Sequence, residues 1–133
     1  MAIADRHGLP VAVGIESASP HEIRLVKATL KSRFMREKPI LLIGDRAYDS
    51  DRLDKELLIE ENVRLVAPHR NNRVAAVTQD GRQLRRYRNR WRVERLFAWL
   101  HNFRTLVVRW ERYAENFLGM VQLGCIKILL RYL

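Results

Sequence analysis

The amino-acid sequence predicts a mixed α/β fold, and three observations carry that prediction. Short apolar runs of strand length alternate with stretches whose apolar residues recur at helical spacing. Gly, Pro and Ser punctuate the boundaries between them, as at Gly8, Ser19-Pro20, Pro39 and Gly44. At 133 residues the chain is also long enough to bury a core, with 47% apolar and 30% charged residues.

Met1 to Ala4 and Val11 to Ile15 are apolar runs flanking Asp5-Arg6-His7-Gly8-Leu9-Pro10, which predicts a hairpin with Gly8 at its turn. Ser19-Pro20-His21-Glu22 supplies a cap, a proline at the first helical position and an early acid, so a helix should run to about Phe34, with Ile23, Val26 and Leu30 inward. Ile40 to Gly44 is expected to be a strand buried on both faces. Ser50 should open the next helix, with Leu53, Leu57 and Leu58 inward, and Val63 to Ala67 a further strand. Residues 68–80, containing Arg70, Asn71, Asn72 and Arg73, have no period and are expected to be a loop.

From Arg82 to Arg104 the composition changes. Seven arginines fall between Arg82 and Arg95, Glu94 is the one acid, and there is no Gly or Pro, so a continuous helix is expected. At 100° per residue Tyr87, Arg90, Glu94 and His101 share a sector of about 60°. Val93, Leu96, Leu100 and Phe103 form an apolar face, and Arg88, Arg92 and Arg95 a third. A solvated surface helix is the plain alternative. An extended piece over residues 105–110 and a buried apolar helix from about Ala114 complete the chain. Its segments are thus 1–38 (hairpin and helix), 39–67, 68–80 (loop), 81–104 (arginine helix) and 105–133 (strand and helix).

The formal charge of +10 is unevenly placed: residues 1–67 carry 11 basic and 11 acidic side chains, residues 68–133 carry 14 and 4. A concentrated cationic region suits a polyanion, and nucleic acid is favoured over a membrane surface. Cys125 is the single cysteine; its apolar neighbours point to a buried thiol, and a reducing cytoplasm fits. His7, His21, His69 and His101 lack the pairing of a zinc site. No signal peptide is visible, and the apolar run Phe117–Leu130 is short for a membrane span.

Asp45 directly follows a strand, in the crevice position where open α/β sheets bind ligands; a turn or N-cap aspartate is its alternative role. With Glu94 it forms a candidate carboxylate pair for a hard divalent cation such as Mg²⁺ (or Mn²⁺), and beside the arginines this points to phosphodiester chemistry. The run Leu41-Leu42-Ile43-Gly44-Asp45-Arg46-Ala47-Tyr48-Asp49-Ser50 resembles the segment around the second catalytic aspartate of bacterial insertion-sequence transposases with a DDE domain. Tyr87 to Leu100 resembles their signature around the catalytic glutamate. That signature spaces Tyr, Arg, Glu and Lys by two, three and six residues; Tyr87, Arg90 and Glu94 match, and His101 stands at the Lys position. The resemblance extends through Asp5–Pro10 and Ser17–Glu22, along essentially the whole chain.

The resemblance implies an RNase H-like mixed sheet flanked by helices, and Mg²⁺-dependent DNA cleavage and strand transfer. Asp45 and Glu94 would be catalytic metal ligands, Tyr87 and Arg90 would contact transposon-end phosphates, with Arg88, Arg92 and His101 on the same DNA, in the nucleoid of a bacterial cytoplasm. The family's first catalytic aspartate has no counterpart here. It belongs to a strand upstream of the hairpin, central in the sheet between the strand at Met1–Ala4 and the strand at Ile40–Ile43, and Asp5 does not match it. The expectation is therefore an N-terminally truncated domain with two of three acids, inactive alone and prone to aggregation. An upstream transposase fragment or a full-length subunit would complete it. Two other functions fit the same features: a noncatalytic DNA-binding or subunit-poisoning regulator, and a nonfunctional remnant.

Overall fold

A computed structural model describes residues 1–17 and 19–132; Ala18, within the Ser17–Glu22 run, and Leu133 lie outside the described residues. The architecture is mixed α/β, with two small two-stranded sheets, helices and connecting loops, and divides into two compact units, residues 1–34 with 91–133 and residues 35–90.

In the first unit, β1 (Ala2–Ala4) pairs antiparallel with β2 (Pro10–Val13), Ala2 opposite Val13 and Ile3 opposite Ala12, with a bulge between Ile3 and Ala4. The turn joining them forms for a local reason. Asp5 Oδ1 accepts from the amides of His7 (2.7 Å) and Leu9 (2.8 Å), and Gly8 sits at φ +79°, where only glycine is unstrained. A Cβ at Gly8 would also come within 2.9 Å of the Arg95 guanidinium.

The expected helix to Phe34 is shorter than its pattern. A 3-10 turn at Glu22–Arg24 leads into α1 (Leu25–Lys31), and the cap is the ring of His21, accepting from Ile23 N, rather than Ser19. Val26 and Leu30 are buried as expected. The chain leaves α1 because the Phe34 amide donates to Val11 O at 2.8 Å, tying the segment to the hairpin.

Two helices complete the first core. Leu96 and Leu100 of α4 (Trp91–His101) pack with Val13 and with Cys125 and Ile128 of α6 (Ala114–Leu129). Gly124 lets α6 approach closely: a Cβ there would lie 3.1 Å from Leu100 and 3.2 Å from Leu106. The extended piece expected at 105–110 is absent. Arg104–Val107 forms a helical turn, α5, started by extended Phe103, whose carbonyl accepts from Leu106 N at 2.8 Å.

In the second unit, β3 (Leu41–Ile43) runs parallel to β4 (Arg64–Val66). Only Leu42 of β3 is buried, and Ile40 is 86% exposed, so the strand is not covered on both faces. Ser50 caps α2 (Asp51–Glu56) by accepting from Leu53 N. Beyond Glu56 the helix widens into a π-type turn over Leu57–Glu61, ended by Asn62 at φ 55°. Leu53 and Leu57, four residues apart, are buried, but Leu58, expected inward, is 50% exposed, because five residues after Leu53 it lies about 140° round a helix from it.

The continuous arginine helix is also not observed. Gly81–Leu84 forms α3, capped by Asp80; Arg85–Asn89 tightens to a 3-10 helix; and α-helical geometry resumes at Trp91. The tightening sets residues three apart above one another, which brings the Arg90 guanidinium onto the Tyr87 hydroxyl and ring. No described helix is long and apolar enough to cross a membrane.

Candidate functional site

Asp45 lies at the carboxyl end of β3, exposed, where its backbone turns into a 3-10 helix over Arg46–Tyr48. Its Oδ1 accepts from Ala47 N at 2.8 Å, so the carboxylate caps the turn that presents it. The turn is pinned from both ends. Gly44 donates to Val66 O at 3.0 Å and has the Tyr48 ring so close that a Cβ would meet it at 2.9 Å. The guanidinium of Arg70 donates to the carbonyls of Arg46 (3.2 Å) and Ala47 (2.8 Å), and Arg46 donates to Asn71 at 2.7 Å.

Behind this turn is a cluster that the sequence pattern did not single out. The side chain of Asp49 is 4% exposed. Its Oδ1 meets His69 Nδ1 (2.8 Å) and Arg73 Nη1 (3.0 Å), and Oδ2 accepts from Arg70 N at 2.8 Å. Burial pushes its carboxyl up, but the Arg70 amide, His69 and Arg73 outweigh burial and hold it below the usual carboxylate range. Arg73 reaches on to both oxygens of Asp51 at 2.8 Å, and His69 Nε2 accepts from Thr78 N at 3.1 Å. Residues 68–80 are a loop as expected, but one organised around a buried carboxylate. The available signal was the acids Asp49, Asp51 and Asp54 set against a periodless segment holding Arg70 and Arg73, because such a segment must satisfy its polar groups through side chains.

The signature residues divide between the two units. Tyr87 and Arg90 belong with Asp45 to residues 35–90, and Arg92, Glu94 and His101 to the other unit. In the 3-10 stretch positions three apart eclipse, and Arg90 Nη1 donates to Tyr87 Oη at 2.8 Å, with its guanidinium 5.4 Å from the ring centre. Only Glu94 and His101, seven residues apart on α4 and both exposed, keep the face expected at 100° per residue. Arg88 is exposed as well.

Arg92 and Arg95, by contrast, are half-buried. Arg95 stacks between the rings of Trp91 and Trp99, 4.9 Å from each, and donates to His7 O; Arg92 lies 5.7 Å from the Trp91 ring. Arg95 thereby fastens α4 to the hairpin turn. No group of three or more His, Cys, Asp or Glu among the described residues could hold a metal ion.

The exposed aspartate after β3 and the Tyr–Arg–Glu spacing coincide with a family-level match. The family model described as "Transposase DDE domain" matches residues 1–128. The chain belongs to the DDE-domain transposases of insertion sequences. It is 32% identical over 131 residues to the Burkholderia cepacia protein named "Putative transposase for insertion sequence element IS402". That alignment takes in 92% of this chain and 58% of the relative, so the chain spans little more than half the length of that transposase. No solved structure matches it.

Within this family membership, the local geometry gives each signature residue a physical setting. Asp45 is held by a rigid turn on a strand end, Glu94 projects from a helix anchored by Leu96 and Leu100, and Tyr87 and Arg90 hold each other in place.

Proposed function

We propose that residues 1–133 are the part of a DDE transposase that carries the second and third catalytic acids, Asp45 and Glu94, for DNA cleavage and strand transfer at transposon ends, within an RNase H-like domain. The observation that carries this reading is the family match together with the exposed placement of both acids, one at a strand end and one on a helix. Tyr87, Arg88, Arg90, Arg92 and His101 are the DNA-contacting set in this reading. Arg88 and Arg90 are exposed for phosphates, and Arg92 acts partly through its packing on Trp91.

Exposed carboxylate oxygens are donors of the kind Mg²⁺ or Mn²⁺ takes, and in this reading Asp45 and Glu94 would each supply one; two carboxylates do not complete a ligand set. A bound divalent ion would supply Lewis-acid activation of phosphodiester oxygens. The chain's own residues hold and orient: the Ala47 amide fixes the Asp45 carboxylate, and the Tyr87 hydroxyl fixes Arg90.

In this reading residues 1–133 supply two acids of a three-acid site. β1 and β3 each have a single strand neighbour, so each sheet has an edge whose N–H and C=O groups can accept a further strand. A strand ending in Asp, from an upstream transposase segment or an intact subunit, is the complementing element.

The test mixes residues 1–133 with a polypeptide supplying that strand and measures Mg²⁺-dependent cleavage of transposon-end DNA. Cleavage should appear on mixing and vanish with Glu94→Ala; cleavage indifferent to that change removes the active-site assignment. A noncatalytic DNA-binding role is the second reading, favoured by the exposed arginines at 85, 86, 88 and 90. It predicts binding that survives Glu94→Ala. When Arg88 and Arg90 are replaced together, the slope of log K against log salt should fall by about 0.9 for each phosphate no longer neutralised. Binding with no salt dependence refutes it.

A further inference from the structure

The last helix offers a surface that DNA chemistry leaves unused. α6 carries apolar residues on two sides, and one of them enters the core, at Gly124, Cys125 and Ile128. On the opposite side Leu123 is 59% and Ile126 49% exposed. They sit in an open groove of about 570 Å³ with Gly119 and Met120, bordered by Asn116 and Gln122 and by Glu111 and Glu115. A helix with two apolar sides has one left to cover.

The charge of this groove sets its partner. Residues 68–133 hold four acids against fourteen bases, and two of the four, Glu111 and Glu115, line this groove, while none of its lining residues is basic. With Glu111 and Glu115 on its border and no basic lining residue, the groove suits a cationic side chain better than a phosphate.

We propose that this groove docks an amphipathic helix of a partner protein. Its apolar residues, at i, i+3 or i+4, and i+7, would cover Leu123 and Ile126, and a lysine or arginine would reach Glu111 and Glu115. The surface is thus a protein-docking site on the half of the chain that is otherwise strongly cationic.

The probe is a fluorescein-labelled fifteen-residue peptide of leucine and lysine at helical spacing, titrated with the full chain and read by anisotropy at physiological salt; its leucine–glutamate counterpart is the control. The leucine–lysine peptide should bind and the counterpart should not. Glu111→Gln with Glu115→Gln should weaken binding at least tenfold, and so should Leu123→Ala with Ile126→Ala. The latter pair is exposed in the chain itself, so the thermal melt should be unchanged. Glu56→Gln with Glu60→Gln, which line a different concavity, should leave affinity as it was. Equal binding of the two peptides overturns the proposal, as does indifference to the groove variants or dependence on Glu56 and Glu60. Sedimentation showing self-association abolished by Leu123→Ala and Ile126→Ala, with no competition by the peptide, assigns the groove to a second copy and overturns it too.

Discussion

Asp49→Ala should release the loop over residues 68–80 without unfolding the sheet beside it. The wild-type carboxylate is 4% exposed and receives three donors at 2.8–3.0 Å, from Arg70 N, His69 and Arg73. Charge-assisted bonds contribute about 1.5–3 kcal/mol each when taken singly, and removing one member of a buried ion pair costs about 3–5 kcal/mol. These figures do not add, because the partners are shared. Arg73 keeps Asp51 and the carbonyl of Ala76, and His69 keeps Thr78, so the lower end applies, about 3 kcal/mol. At 1.4 kcal/mol per decade that is roughly a hundredfold in the opening equilibrium.

The assay is amide hydrogen exchange. Arg70 N–H, bonded to Asp49, and Thr78 N–H, bonded to His69, should lose about two decades of protection. The Gly44 amide, bonded to Val66 O, should keep its own. Unchanged protection at Arg70 and Thr78 refutes the reasoning, and so does an equal loss at Gly44, which would mean that the loop has no stability separate from the sheet. pH gives a second arm. Since the folded carboxyl lies below its usual range, its contribution is present above the unfolded pKa of about 3.9 and is lost as pH falls through the folded value. Protection of the loop should therefore decline in acid in the wild type, and Asp49→Ala should lack that decline.

Three further outcomes are expected. Burial, with Asp51 and Asp49 adding repulsion, pushes the Asp54 carboxyl up to about 6; the folded form then holds a proton that the unfolded form has released, so stability falls as pH rises from about 4 to about 6. Asp54→Asn, which can still accept from Gln79, should flatten that slope and raise stability at pH 7; an unchanged denaturation profile would sink the assignment. Burial likewise pushes the Cys125 thiol up to about 11, so a thiol reagent at pH 8 should modify it only at the rate of unfolding, and rapid labelling of native protein would contradict its place in the core. Gly44→Ala would set a Cβ 2.9–3.0 Å from the Tyr48 ring and should cost about 1–3 kcal/mol, with altered amide shifts at Ala47, whose N–H caps on Asp45; a neutral substitution with unmoved shifts would show that the turn is not pinned there.

What the sequence disclosed follows how local each cause is. The hairpin, the Ser50 cap and the Leu96 and Leu100 face were legible because turn chemistry, capping and helical period act over a few residues. The break in the arginine helix was not, because absence of Gly and Pro reports only intrinsic propensity, which does not register a side-chain contact such as Arg90 on Tyr87 across the 3-10 stretch. Leu58 faces outward because it lies about 140° round a helix from Leu53, so the inward pair at this spacing is Leu53 with Leu57. The same contrast divides the candidate site. Tyr87, Arg90 and Glu94 could be found by spacing, since each is named by its distance from the next. Asp49 could not, since its partners His69, Arg70 and Arg73 lie 20 or more residues away and meet it only once β3 and β4 have paired. The residues that hold the Asp45 turn are thus those whose role is created by the fold, and motif reading stops at the carboxylate they support.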